Sequence, residues 1–178
     1  MGISGDPRKR AKVQTPSLRV RMARPVDAAW LKLQWREWVG EYDQVMDALD
    51  AGELSKSNVL ALSLEEVRTG RLCGGLIAAP PNRFIRKYLP DPAQADQVAS
   101  QVVKLEGVGV DPAYRGQGGG SLLIREAIRR FSGGLSRWMY GQFDTSRQLT
   151  NFYSQLGFTV HPAGQRMRGP QHLGPRLF

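Results

Sequence analysis

The segment Val108-Gly-Val-Asp-Pro-Ala-Tyr-Arg-Gly-Gln-Gly-Gly-Gly-Ser121 constrains the fold more than any other part of the chain. Val102–Val110 reads as a strand, and Asp111-Pro112 turns it into the glycine cluster 116–120. Ser121–Phe131 then reads as an amphipathic helix, with Leu122, Leu123, Ala127, Ile128 and Phe131 on one stripe and Arg125, Arg129 and Arg130 outside. A strand that passes through glycines directly into a helix aims the unpaired first-turn amides at a common point. Glycine lets an anion approach that backbone closely, and the helix dipole attracts a phosphate or pyrophosphate.

Three anion-binding readings compete for this turn, beside the plain alternative of a helix-start turn. A phosphate loop of the nucleotide hydrolases needs Gly-Lys-Ser/Thr, and here Gly120 is followed directly by Ser121. A dinucleotide fingerprint from Gly116 would have Ser121 as its third member and would want an acid about 20 residues on. Ala127–Phe143 contains none. The third pattern, Arg115-x-x-Gly118-x-Gly120, fits completely.

Other classes are excluded by what is missing. One cysteine, Cys73, rules out a disulfide framework and a cysteine zinc site, and reads as a small buried residue. His161 and His172 have no ligand partner at metal spacing, so no metal is expected. No apolar run approaches a membrane span, and the first residues lack an apolar signal core, so the expectation is a soluble cytoplasmic domain without a membrane partner. The 178 residues carry a net charge of +9. Two thirds of the excess lies in residues 1–17 and 161–178, so the basic balance alone does not make a nucleic-acid protein. Within the body the sign reverses. Glu37, Glu41, Asp43, Asp47, Asp50 and Glu53 include no base between them, which reads as a solvated face or, beside a site, as an attraction for a cationic acceptor.

Periodicity orders the rest. Leu18–Ala23 alternates as a strand, and Pro25 and Asp27 open a helix carrying Trp30, Leu31, Trp35, Trp38 and Val39. A short helix is expected over Tyr42–Leu49. Val59–Val67 and Arg71–Ala79 form a hairpin at Arg68-Thr69-Gly70. Pro80–Asp96, with four prolines, is not a strand and holds a short helix around Phe84–Tyr88. Trp138–Phe143 reads as a strand, Arg147–Leu156 as a helix ended by Gly157, and Phe158–His161 as a last strand. The fold class is α/β or α+β with one mixed sheet. Residues 1–17 read as a basic tail, 18–162 as the domain and 163–178 as a second basic tail.

On these motifs the chain resembles the GCN5-related N-acetyltransferases. Val108-Gly-Val-Asp-Pro-x-Tyr-Arg-Gly-Gln-Gly-Gly-Gly matches their Arg/Gln-x-x-Gly-x-Gly/Ala run, and Phe152-Tyr153-Ser-Gln-Leu-Gly157-Phe158 matches their aromatic element. The resemblance covers residues 18 to about 162, most strongly Leu105–Val160. It implies a mostly antiparallel sheet splayed between its fourth and fifth strands, with acetyl-CoA as co-substrate in the opening. Val108, Gly109 and Val110 would bind the pantetheine arm. Arg115, Gly116, Gln117, Gly118, Gly119, Gly120 and Ser121 would cradle the pyrophosphate. Tyr153 would protonate the departing thiolate. Glu106 would be the base, on the same strand face as Val108 and Val110 by the period-two rule, unless it simply pairs with Lys104 or Arg115.

Two positions and one insertion depart from the family pattern. Ser146 stands where the family often has Asn, Gly141 stands where ribosomal-protein acetyltransferases carry a glutamate base, and Pro80–Ser100 is a long insertion. The implied function is acetyl transfer to a primary amine of a small molecule or peptide, by a monomer or a homodimer. Two alternatives stay open: a non-catalytic module binding acyl-CoA or nucleic acid, and a toxin acetylating aminoacyl-tRNA.

Overall fold

Five strands lie side by side in chain order: β1 (Leu18–Met22), β2 (Leu60–Glu66), β3 (Leu72–Ala79), β4 (Val102–Val110) and β5 (Trp138–Gly141). The structure is a computed structural model that describes residues 17–38, 51–52, 59–133, 138–143 and 145–162, without the side chains of 35–38 and Thr145. The first three junctions are antiparallel and β4 runs parallel to β5, as the expected mixed sheet requires.

β2 is buried along its whole length because both faces of the sheet are covered. Leu60, Leu62 and Leu64 join Leu76, Val103 and Leu105 in the larger core, beneath helix α4 (Gly119–Ser132). Ala61 and Ile77 face the other way, onto Ala28 and Leu31 of helix α1 (Ala28–Trp38). On α4 the buried residues are Gly119, Leu123, Ile124 and Ala127, whereas Leu122 is 43% exposed. The apolar stripe is therefore rotated from the one expected, which counted Leu122 as core and passed over Ile124.

A buried charge network fixes where α1 begins. Asp27, in the 3-10 turn Pro25–Asp27, is 1% exposed and accepts from both Arg21 Nη atoms, the Arg24 amide at 2.8 Å and Ser63 Oγ at 3.0 Å. Arg21 Nε also donates to Glu65 Oε2 at 2.6 Å, and Arg19 donates to the same carboxylate. Burial pushes the Asp27 carboxyl up, and the hydrogen bonds from Arg21, Arg24 and Ser63 outweigh it, leaving the group below its ordinary range. Arg19 and Arg21 hold Glu65 below its ordinary range as well. A carboxylate this deeply buried persists only with such partners.

The insertion between β3 and β4 contains two helices, α2 (Asn82–Tyr88) and α3 (Pro92–Ala99), of which only the first was expected. Asp91 caps α3 by accepting from the Ala93 amide at 2.9 Å, and Pro92 takes the first helical position, where its missing N–H costs nothing. A proline thus stands at the start of each helix. The expected helix over Arg147–Leu156 is a 3-10 turn (Thr145–Arg147) followed by α5 (Thr150–Gln155). Phe158–His161 pairs with no strand among the described residues, so the expected last strand is not formed there. Cys73 is fully buried, as expected, and burial pushes its thiol up to about 11. The expected helix over Tyr42–Leu49, the side chains of the six acids from Glu37 to Glu53, and nearly all of both tails lie outside the described residues.

Candidate active site

β4 and β5 share only four rungs, from Val102 opposite Trp138 to Leu105 opposite Gly141. Beyond them β4 continues for five residues, Glu106–Val110, whose far edge meets no strand among the described residues. The sheet opens here, between the fourth and fifth strands. Gly141 stands at the last shared rung, where a Cβ would lie 3.3 Å from Leu105 Cβ.

A β-bulge sits at the same point. Ile77 pairs with Gly107 and Ala78 with Leu105, which makes Glu106 the extra residue of β4 at this point in the ladder. One extra residue reverses the side-chain phase. Val103 and Leu105 before the bulge and Val108 and Val110 after it all pack on the larger core. Glu106 instead shares the α1 face with Lys104, whose Nζ lies 2.6 Å from Glu106 Oε2. The expectation that Glu106 shares a face with Val108 and Val110 is therefore corrected, because the period-two rule holds only along an unbroken ladder. Of the two partners considered for Glu106, Lys104 is the one it meets. Arg115 donates its Nε to the Val110 carbonyl at 2.9 Å.

Tyr140 on β5 is the Cα partner of Lys104. Burial, with a smaller contribution from Glu106, raises its phenol above the usual range. Lys104, Glu106 and Tyr140 thus form a titratable cluster at the apex of the opening. Sequence reasoning passed over Tyr140, since one tyrosine in a four-residue strand carries no pattern.

At the end of β4 the 3-10 turn Pro112–Tyr114 leads into the glycines, where Gly116 and Gly118 take φ of 74° and 82°. That left-handed region is open to glycine at little steric cost, and a Cβ at either position would meet nothing within 4 Å. Gly119 and Gly120 serve packing. A Cβ on Gly119 would lie 2.6 Å from Leu64 Cδ2, and one on Gly120 would lie 3.3 Å from Phe152 Cζ. Gly118 is the N-cap of α4, and its carbonyl accepts from Leu122 N at 3.0 Å. The amides of Gly119, Gly120 and Ser121 precede that first helical bond and have no acceptor within the helix. Gln117 donates Nε2 to the Ala113 carbonyl, and its Oε1 is buried without a hydrogen-bond partner. A cradle of unpaired amides free of side-chain bulk fits a pyrophosphate.

Tyr153 on α5 packs against the larger core, on the opposite side of the sheet from Glu106. Its ring stacks on Phe143 at 5.2 Å and meets Phe152 and Phe158 edge-on. Burial raises the phenol above its ordinary pKa, so it holds its proton through the neutral range. The opening, Val108–Val110 and the glycine loop follow one another along β4 and the turn after it, and Gly120 approaches Phe152, whose ring meets Tyr153. Ser146, in the 3-10 turn before α5, is exposed, and no group of metal-ligating side chains occurs among the described residues.

Solved structures share this fold. A putative acetyltransferase, yncA, from Salmonella typhimurium, with acetyl-CoA, is similar at 18% identity, covering 90% of this chain and 91% of that one, with a TM-score of 0.64. NAA60 of Arabidopsis thaliana in complex with acetyl-CoA is similar at 16% identity, covering 90% and 96%, with a TM-score of 0.63. A GNAT family acetyltransferase from Brucella melitensis, in complex with acetyl-CoA, is similar at 21% identity, covering 91% and 96%, with a TM-score of 0.54. No curated protein matches the chain. The sequence pattern of the Acetyltransferase (GNAT) family matches residues 28–158, from the start of α1 to the residue after the left-handed Gly157. The chain belongs to the GNAT acetyltransferase family.

Proposed function

We propose that the protein transfers the acetyl group of acetyl-CoA to a primary amine of a small molecule or peptide by direct attack. The observation that carries this reading is the bulged, splayed β4, with Glu106 on one face and Tyr153 beyond the other. An amine attacks a thioester only as its neutral form, so an ammonium of pKa about 10 must first lose a proton. Glu106 takes that proton on the side covered by α1. On the other side Tyr153 gives its proton to the departing CoA thiolate. Gly119, Gly120 and Ser121 hold the pyrophosphate, and the open edge of Val108–Val110 lies along the pantetheine arm. The three similar structures named above hold acetyl-CoA, which supports the choice of co-substrate.

The test is mass spectrometry of the products from a panel of amines incubated with the whole chain and acetyl-CoA. The expected result is an acetylated amine with one equivalent of CoA for at least one class. Retention of acetyl-CoA without turnover across small amines, peptides and aminoacyl-tRNA would instead make this a binding module.

A further inference from the structure

The end of β2 touches both sides of the glycine loop. Two residues apart on that strand, Leu64 meets the loop's exit and Glu66 meets its entrance. At the exit, Leu64 fills the space that a Cβ on Gly119 would need. At the entrance, Tyr114 packs its ring on the larger core and donates its hydroxyl to Glu66 Oε2 at 3.2 Å, across 48 residues of sequence. Thr69 Oγ1 donates to the same oxygen at 2.7 Å, so the carboxylate is itself held by the hairpin turn. Arg71, beyond that turn, lies over the Tyr114 ring at 5.7 Å and pairs with Asp111 at 3.4 Å. The Asp111 amide donates to the Cys73 carbonyl at 2.8 Å. Asp111 and Tyr114, at the two ends of the turn, are thereby tied to the β2–β3 hairpin.

The glycines that follow hold no direction by themselves. Gly116 and Gly118 have open space where a side chain would lie, so their path is set by what enters and leaves them. A loop of this kind loses entropy when it closes on a ligand, and fixing its ends in advance lowers that cost. We infer that Glu66 and Tyr114 are positioning residues for acetyl-CoA, which fix the entrance of the pyrophosphate loop and touch neither substrate. The inference rests on the reading of Gly116–Ser121 as the pyrophosphate site.

The experiment uses the whole chain carrying Tyr114→Phe, Glu66→Leu, Glu66→Gln or Tyr114→Phe with Glu66→Leu. Acetyl-CoA affinity is read by calorimetry, and KM for acetyl-CoA and for an accepted amine by CoA release. Tyr114→Phe and Glu66→Leu should each weaken acetyl-CoA binding about tenfold, the order of one hydrogen bond to a charged group. The amine KM should stay unchanged, and the double variant should be no worse than either single one. Glu66→Gln keeps an accepting oxygen and should recover most of the affinity. If Glu66→Leu fails to fold, Tyr114→Phe, which removes a single oxygen, decides. Unchanged affinity in a folded Tyr114→Phe, with or without a lower melting temperature, overturns the inference. A wild-type chain that binds no acetyl-CoA overturns the pyrophosphate reading and this inference with it.

Discussion

Lys104 Nζ lies 2.6 Å from Glu106 Oε2, two residues away along β4 and at the point where β5 leaves the sheet. The pair places an ammonium against the carboxylate assigned as base, which is the charge arrangement an incoming protonated amine would make there. Glu106→Gln keeps the shape and a partner for Lys104 while removing the base. It should lower kcat by roughly 10²–10⁴-fold at pH 7 with little change in acetyl-CoA affinity. The loss should shrink toward pH 10, where the amine deprotonates itself. Full activity of the variant at pH 7 would make Glu106 a structural partner of Lys104.

Tyr153→Phe removes one oxygen and leaves the contacts with Phe143, Phe152 and Phe158 in place. Its melting temperature should therefore stay close to wild type. The expected kcat falls by roughly 10²-fold or more, because the thiolate must then leave unprotonated. Burial raises the phenol, so the wild-type rate should show no loss from this group between pH 7 and 9. Wild-type kcat in Tyr153→Phe would remove the acid role.

The network around Asp27 sets an acid limit on stability. Asp27 and Glu65 both have carboxyl pKa values below those of the unfolded chain. Between the folded and unfolded values the unfolded chain binds more protons, so their stabilisation is present above about pH 4 and is lost as pH falls through the folded values. Asp27→Asn should cost about 3 kcal/mol at pH 7 by leaving Arg21 half-paired. It should also flatten the fall in stability between about pH 4 and pH 2. An unchanged slope in denaturant titrations across that range would locate the acid sensitivity elsewhere.

Gly74 backs the site from β3. A Cβ there would lie 2.8 Å from the Gly109 carbonyl oxygen and 3.1 Å from Leu64 Cδ2. A backbone atom cannot move aside as a side-chain tip can. Gly74→Ala should lower stability by roughly 1–3 kcal/mol and weaken acetyl-CoA binding through the displaced Gly109–Val110 edge. A melting curve matching wild type would show that β3 and β4 have room to separate.

The parts legible in the sequence were those governed by local rules. β4 and its turn into α4 followed from glycine and proline chemistry, and the hairpin from Arg68-Thr69-Gly70, where Gly70 has a φ of 68°. The parts that were not legible depend on partners distant in sequence. The bulge at Glu106 is a property of the pairing with Ile77 and Ala78, so counting by twos along β4 assigned the wrong face. The contact of Tyr114 with Glu66 has no local signal at all. Asp91-Pro92 did carry one, since a capping acid before proline marks a helix start, but three further prolines, at 80, 81 and 90, masked it.

Calorimetry on wild type and Gly118→Asp tests whether Gly116–Ser121 holds the pyrophosphate of acetyl-CoA. Gly118 has a φ of 82°, so aspartate there adds backbone strain and a negative charge beside the unpaired amides of α4. The wild type should bind acetyl-CoA saturably, and the variant should lose at least about tenfold in affinity. Circular dichroism should show the variant still folded. Equal affinity in the two folded proteins would mean that the pyrophosphate is held elsewhere.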